Sequence, residues 1–173
     1  ESRVSLVPDP RAKYTAEDRA LQNRTALKLY GMLADLTYVA DAVIDLRKQL
    51  AERMGQLIPE APATKPLQGY ADKLDAFRNT LSATREGAIT GEEQLREKLG
   101  YLYGAVNFHD GRPTGSQLDN MAMLEEQLAA AKARLEALTA RDLQAANAAI
   151  LTARLVPLAP MTREDWEKKQ EGK

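Results

Sequence analysis

The sequence contains no cysteine, and this excludes disulfides, zinc sites built on thiolates and thiol nucleophiles. It also lacks an excess of positive charge, because 24 basic residues stand against 25 acidic ones. A dedicated nucleic-acid binder needs basic groups to neutralise phosphates, so we expect no nucleic-acid partner. No apolar run approaches the roughly 20 residues of a membrane-spanning helix, and we therefore expect no membrane span.

Valine and isoleucine are scarce, with 10 residues between them, whereas alanine (28) and leucine (24) dominate. Strands favour β-branched and aromatic residues, and helices favour alanine, leucine and long straight side chains. The composition therefore predicts an all-α fold. A chain of 173 residues is long enough for one domain with a hydrophobic core.

Catalytic and metal-binding motifs are missing too. His109 is the only histidine, and it stands beside Asp110 in a predicted turn with no nucleophile or second ligand tied to it. A di-metal helical bundle would need Glu-x-x-His motifs, which one loop histidine cannot supply. We therefore expect no enzymatic activity, no metal and no cofactor.

Residues 1–14 differ from everything that follows. Val4 and Leu6 alternate with polar neighbours, which is typical of a short strand, and Pro8-Asp9-Pro10 ends it. We interpret residues 1–14 as an extended linker or as the last strand of an upstream domain, the alternative being a disordered terminus. The start at Glu1 rather than Met suggests a fragment or a processed product.

Residues 15–157 are predicted to be helical, and the first helix runs from a cap at Thr15 to Leu57. Its apolar residues form two neighbouring rows at spacings of 3 and 4, wide enough to meet two other helices. The first row is Leu29, Leu33, Leu36, Ala40, Val43, Arg47, Leu50, Met54 and Leu57, and the second is Met32, Leu36, Val39, Val43, Leu46 and Leu50.

The second predicted helix follows a proline-rich turn, and its apolar face is Leu67, Tyr70, Leu74, Phe77, Leu81 and Thr84. Gly87 and Gly91 are expected to interrupt it, and the capping box from Thr90 to Glu93 to restart it.

The third predicted helix begins at the capping box of Thr114 and ends at Pro157, and the pattern leaves open whether a separate short helix starts near Asp142. At 1.5 Å per residue the three rods of about 40 residues each span roughly 60 Å. Matched rods and short connections predict an elongated up-down-up three-helix bundle with an interrupted second helix. A reversal at Gly87–Gly91 would instead give a four-helix bundle. Residues 158–173 are expected to be a charged C-terminal tail, which frays from Thr162 to Lys173 although that part carries the only tryptophan, Trp166.

Aromatic residues gather near the loop that follows the second helix. They are Tyr101, Tyr103 and Phe108, with His109 beside them. Such rings can stack on a sugar or a peptide, whereas the pattern favours packing at the end of the bundle. These four residues are the candidate contact surface that the sequence offers.

Short motifs are spread along nearly the whole chain, from Val4 to Pro157. They are Val4-Ser5-Leu6-Val7-Pro8-Asp9-Pro10-Arg11 with Asp18 and Gln22, Leu102-Tyr103-Gly104-Ala105-Val106, Asp110-Gly111-Arg112-Pro113-Thr114 with Gln117, and Asp142-Leu143 with Asn147. In order and spacing they resemble the C-terminal helical region of large bacterial Asp-box β-propeller proteins, of the sortilin-like or glycosyl-hydrolase-related type. Gln144 departs from that pattern, which often has a proline there.

The resemblance implies that residues 4–7 close an upstream β domain and that the propellers precede residue 1. Any glycosidase or peptide-binding activity would then belong to those propellers. The resemblance also implies an exported protein, in the periplasm or outside the cell.

We therefore expect a non-catalytic accessory domain, a spacer or protein-contact module whose partners are the β-propeller domains of the same polypeptide. One alternative is a ligand- or sugar-binding or enzymatic domain with a site near Tyr101, Tyr103 and His109. Another is an oligomerising or sensor module that self-associates.

Overall fold

The computed structural model describes residues 3–4, 11, 13–58, 60–84 and 93–171. They form α1 (Ala16–Met54), α2 (Thr64–Leu81), α3 (Leu95–Asn107), α4 (Gly115–Ala137), a π-helical turn (Leu138–Asp142), α5 (Leu143–Thr152) and α6 (Arg163–Glu171). No residue in these ranges lies in a β-strand, and the predicted all-α fold is confirmed. The strand predicted at residues 4–7 lies outside the described residues except for Val4, which is exposed, and the interruption predicted at Gly87–Gly91 lies wholly outside them.

Two of the predicted helix starts are capping boxes in the structure. The Thr15 hydroxyl accepts from the Asp18 N–H at 3.1 Å, and the Asp18 carboxylate accepts from the Thr15 N–H at 3.0 Å. Thr114 and Gln117 repeat this exchange at 3.2 and 2.8 Å. Arg112 joins the two starts by an ion pair to Asp18 at 3.2 Å. Hydrogen bonds from Thr15 and then Arg112 lower the pKa of Asp18.

The core of the molecule follows the second apolar row of α1. All six residues of that row are buried, and Leu29 from the first row joins them. Leu33, Ala40, Met54 and Leu57 are only partly buried and pack at the edge of the core. Arg47 pairs with Asp75 of α2 at 3.0 Å and stays about one-third exposed, as expected for a residue at the margin of the stripe.

Helices α2 and α3 lie along successive halves of α1. The Arg47–Asp75 pair joins α2 to the C-terminal half of α1, and the Gln22 amide donates to the Val106 carbonyl at 2.8 Å, which joins α3 to the N-terminal half.

Helix α4 runs parallel to α1. Lys28 pairs with Glu125 at 2.6 Å and Asp35 with Lys132 at 2.5 Å, and both pairs join residues 97 positions apart.

The junction between α2 and α3 differs from the prediction. Helix α2 ends at Leu81, because Ser82 is extended, so the predicted helical position of Thr84 is wrong. Helix α3 begins at Leu95, and the predicted capping box Thr90–Glu93 lies outside the described residues except for Glu93. The Glu97 carboxylate accepts from the N–H groups of Ala83 and Gln94, at 3.0 and 3.1 Å. One side chain therefore holds the end of α2 and the start of α3 together.

The short helix considered near Asp142 is present as α5, which begins at Leu143, but no break precedes it because the backbone stays helical through Leu138–Asp142. The Leu143 N–H donates to the Leu138 carbonyl five residues earlier, which makes this turn a π turn. The Tyr70 hydroxyl of α2 donates to the same carbonyl at 3.3 Å. Burial, and then the charge of Asp142, raise the pKa of Tyr70 to about 12. The π turn therefore lies where the Tyr70 side chain of α2 contacts this part of the chain.

Candidate functional site

The four residues of the predicted contact surface do not form one site. Tyr101 and Phe108 are exposed by 68% and 85%, and His109 is exposed while its backbone carbonyl accepts from the Gln22 amide. Tyr103 lies two positions after Tyr101, which on a helix is a rotation of about 200°. It packs against the core and faces Tyr30, with the ring centroids 6.4 Å apart. Packing at the bundle end therefore holds for Tyr103 and is wrong for Tyr101 and Phe108.

The C-terminal segment, residues 155–171, is the feature that sequence reasoning missed. After α5 the chain turns back and follows α1, and Leu158 is buried against the core. The Asn147 side chain exchanges two hydrogen bonds with the Leu158 backbone, at 2.8 and 3.0 Å. The Gln49 side chain does the same with the Ala159 backbone, at 2.9 and 3.0 Å. The backbone of this segment is therefore bonded to side chains of both α1 and α5.

Helix α6 ends the described chain as an ordered, docked element, so the prediction of a fraying tail is wrong for residues 163–171. The Thr162 hydroxyl caps it by accepting from the Asp165 N–H at 3.1 Å. Trp166 is only 8% exposed, and its indole N–H donates to the Asp41 carboxylate at 2.8 Å. Its ring meets the Tyr38 ring edge-on at 5.9 Å. A buried aromatic with a satisfied polar group explains why a charge-rich helix stays in place.

Arg163 connects α6 to two other helices. Its guanidinium lies 5.3 Å from the centroid of Tyr38 and 4.8 Å from that of Trp166, within the range of cation–π attraction. It also pairs with Asp35 of α1 at 2.9 Å and with Glu167 of its own helix at 2.7 Å. Asp35 accepts from Lys132 of α4 as well. Helices α1, α4 and α6 therefore share one charged cluster.

The pKa values of this cluster reflect the pairing. Partial burial opposes ionisation of Asp35, but hydrogen bonds from Lys132 and Arg163 outweigh it and lower the pKa of Asp35. The hydrogen bond to Glu167, together with that to Asp35, raises the pKa of Arg163. Both shifts favour the charged forms of Asp35 and Arg163, so the chemistry of this pair is that of docking rather than proton transfer.

A cleft of about 610 Å³ opens where α1, α3 and α6 meet. Three aromatic residues line it, one from each helix: Tyr30, Tyr103 and Trp166. Its other lining residues are Leu33, Ala34, Thr37, Glu167, Gln170 and Glu171. We call this the aromatic cleft. The sequence held two signals for it, a tyrosine of α1 outside both predicted rows and a tryptophan in a charged segment.

In the part of the chain that the structure describes, no three His, Cys, Asp or Glu side chains lie close enough together to hold a metal ion. Within the same ranges, no helix combines the length and the hydropathy needed to cross a bilayer. Comparison with protein-family models, with curated proteins and with solved structures finds no match to this chain.

Proposed function

We propose that this chain is a non-catalytic helical module that presents a protein-contact surface. The observation that carries the proposal is that large apolar side chains are exposed on helices whose positions are fixed. Leu27 and Tyr30 of α1 are each 62% exposed. They lie three positions apart and so occupy one face of the helix.

The helix that bears this face is held from several sides. Lys28 and Asp35, which flank Tyr30 on α1, pair with α4, and Asp35 also pairs with Arg163 of α6. Single exposed apolar residues are ordinary on protein surfaces, but aromatic side chains on rigid elements are typical of contact sites. Rigid presentation lowers the conformational entropy that association costs.

Placement in an exported β-propeller protein is part of the proposal and depends on the motifs described above. The gene upstream of Glu1 tests it. We expect Asp-box repeats and an export signal there, and the propeller domains would then be the partners of the contact surface. An upstream reading frame with neither feature would contradict this placement.

Site-specific photo-crosslinking in the producing cell tests the contact function itself. A benzophenone side chain at Leu27 should form adducts, whereas the same group at Glu126, an exposed position on α4, should form few. Mass spectrometry of the adduct separates a propeller domain, another protein and a second copy of this chain. Equal yields at the two positions, or no adduct at either, would contradict a contact role for this face.

A further inference from the structure

A row of aromatic side chains, made of the ring pairs Tyr38–Trp166 and Tyr30–Tyr103, extends from Arg163 into the aromatic cleft. At one end, the Arg163 guanidinium lies against Tyr38 and Trp166 and pairs with two carboxylates. Trp166 lines the cleft as well, and Tyr30 and Tyr103 continue the row beyond it. Arg163 therefore shows, next to the cleft, that an arginine guanidinium can pack against aromatic side chains of this row.

The charge in the cleft is negative. Glu167 and Glu171 are the charged residues among its lining, which includes no Lys or Arg of the described chain. Glu167 already pairs with Arg163, so Glu171 is the carboxylate that we assign to an incoming cation.

We propose that the aromatic cleft binds an arginine side chain from a basic segment of a partner protein. The planar guanidinium stacks on the tyrosine rings and pairs with Glu171, and the aliphatic stem lies over Leu33. Arginine fits better than lysine because a flat, weakly hydrated cation can stack on a ring and pair at its edge simultaneously. This inference rests on the proposed contact function and names the chemistry of the partner.

Titration of the full chain with a capped five-residue peptide of alternating glycine and arginine tests the proposal. Trp166 is the only tryptophan, so its indole N–H gives one resolved NMR signal at the cleft. We expect this signal and the Tyr30 amide to shift with the arginine peptide. A glutamate peptide of the same length, at matched ionic strength, should leave both signals unchanged.

Matched variants locate the binding. Tyr30→Ala should weaken it about two- to five-fold, which corresponds to the 0.5–1 kcal/mol of one exposed cation–π contact. Tyr101→Ala removes a tyrosine that is similarly exposed, 68% against 62%, from the other side of α3 and should leave the affinity unchanged. Glu171→Gln should weaken binding, and Glu126→Gln should not.

The outcomes separate this inference from the proposed function. No shift with the arginine peptide, or equal weakening by Tyr30→Ala and Tyr101→Ala, would overturn the arginine site. If crosslinking from Leu27 still succeeds in that case, the contact function stands and only the partner chemistry is wrong. If the arginine peptide binds specifically but Leu27 gives no crosslinked adducts, the arginine site is supported and the proposed contact function of the Leu27–Tyr30 face is contradicted.

Discussion

Replacement of Trp166 by alanine should release α6 from the rest of the molecule. A tryptophan of this kind buries about 150–250 Å², which at about 25 cal/mol per Å² stabilises docking by at most about 4–6 kcal/mol. The variant also loses the hydrogen bond from the indole N–H to the Asp41 carboxylate. An isolated nine-residue helix is unstable in water. Without Trp166, the amides of α6 should therefore exchange as in an unfolded peptide.

The effect on global stability should be smaller than usual for a buried aromatic. Truncation of Phe or Trp in a core costs about 3–5 kcal/mol because the surroundings cannot relax. Helix α6 lies at the end of the described chain and can undock, so the global loss is limited to the free energy of docking. We expect a loss below about 3 kcal/mol, with amide protection in the core row of α1 retained.

Amide hydrogen exchange of the wild type, Trp166→Ala and Trp166→Phe distinguishes these effects. The phenylalanine variant keeps one six-membered ring and loses the pyrrole part with its donor to Asp41, so docking of α6 should be weakened by at least about 0.5–1.5 kcal/mol but less than in Trp166→Ala. Tyr101→Ala is the control and should leave α6 unchanged. Wild-type protection of α6 in Trp166→Ala would refute the claim that this side chain holds the segment.

Three further perturbations test other parts of the structure. The pKa of Tyr70 is raised to about 12 in the folded protein, against about 10 in the unfolded chain. The protonated hydroxyl therefore stabilises the fold below pH 10, and this contribution, about 2–3 kcal/mol, is lost as the pH rises towards 12. Tyr70→Phe should flatten that loss in denaturant titrations at alkaline pH. The pKa of Asp35 is lowered in the folded protein, so the carboxylate stabilises the fold above about pH 4 and this stabilisation is lost as the pH falls through the folded-state pKa. Asp35→Asn should cost about 1 kcal/mol of unfolding free energy at pH 7 and reduce the acid dependence of the melting temperature. Gly111 has a φ of 145°, and a Cβ added to it would lie 2.8 Å from the Tyr14 ring. Gly111→Ala should therefore cost about 1–3 kcal/mol of unfolding free energy. At Gly69 an added Cβ would meet no atom within 4 Å, so Gly69→Ala should stabilise α2 by about 0.5–1 kcal/mol. Stabilisation by Gly111→Ala, or an unchanged pH profile in either of the other variants, would contradict the corresponding contact.

Local signals predicted the helix starts because the chemistry of a cap is contained in four residues. Thr15 with Asp18 and Thr114 with Gln117 satisfy backbone groups within one turn, so sequence alone specified them. The buried row of α1 was equally predictable, because helical periodicity decides which side chains share a face.

The docking of α6 could not be predicted in the same way. Trp166 depends on Asp41, which is 125 positions earlier, and Arg163 on Asp35, which is 128 positions earlier. No local pattern encodes such distances, and the charged composition of the segment indicated the opposite. The separation of Tyr101 from Tyr103, in contrast, was predictable from the helical rotation between them.

Fluorescence quenching of Trp166 in the unmodified chain tests the docked C-terminal segment most directly, because this is the only tryptophan. We predict blue-shifted emission and slow quenching by acrylamide, both lost together when guanidinium unfolds the protein. Emission at the wavelength of free tryptophan amide, with unhindered quenching in buffer, would show that α6 does not pack on α1 and would leave the aromatic cleft without one of its walls.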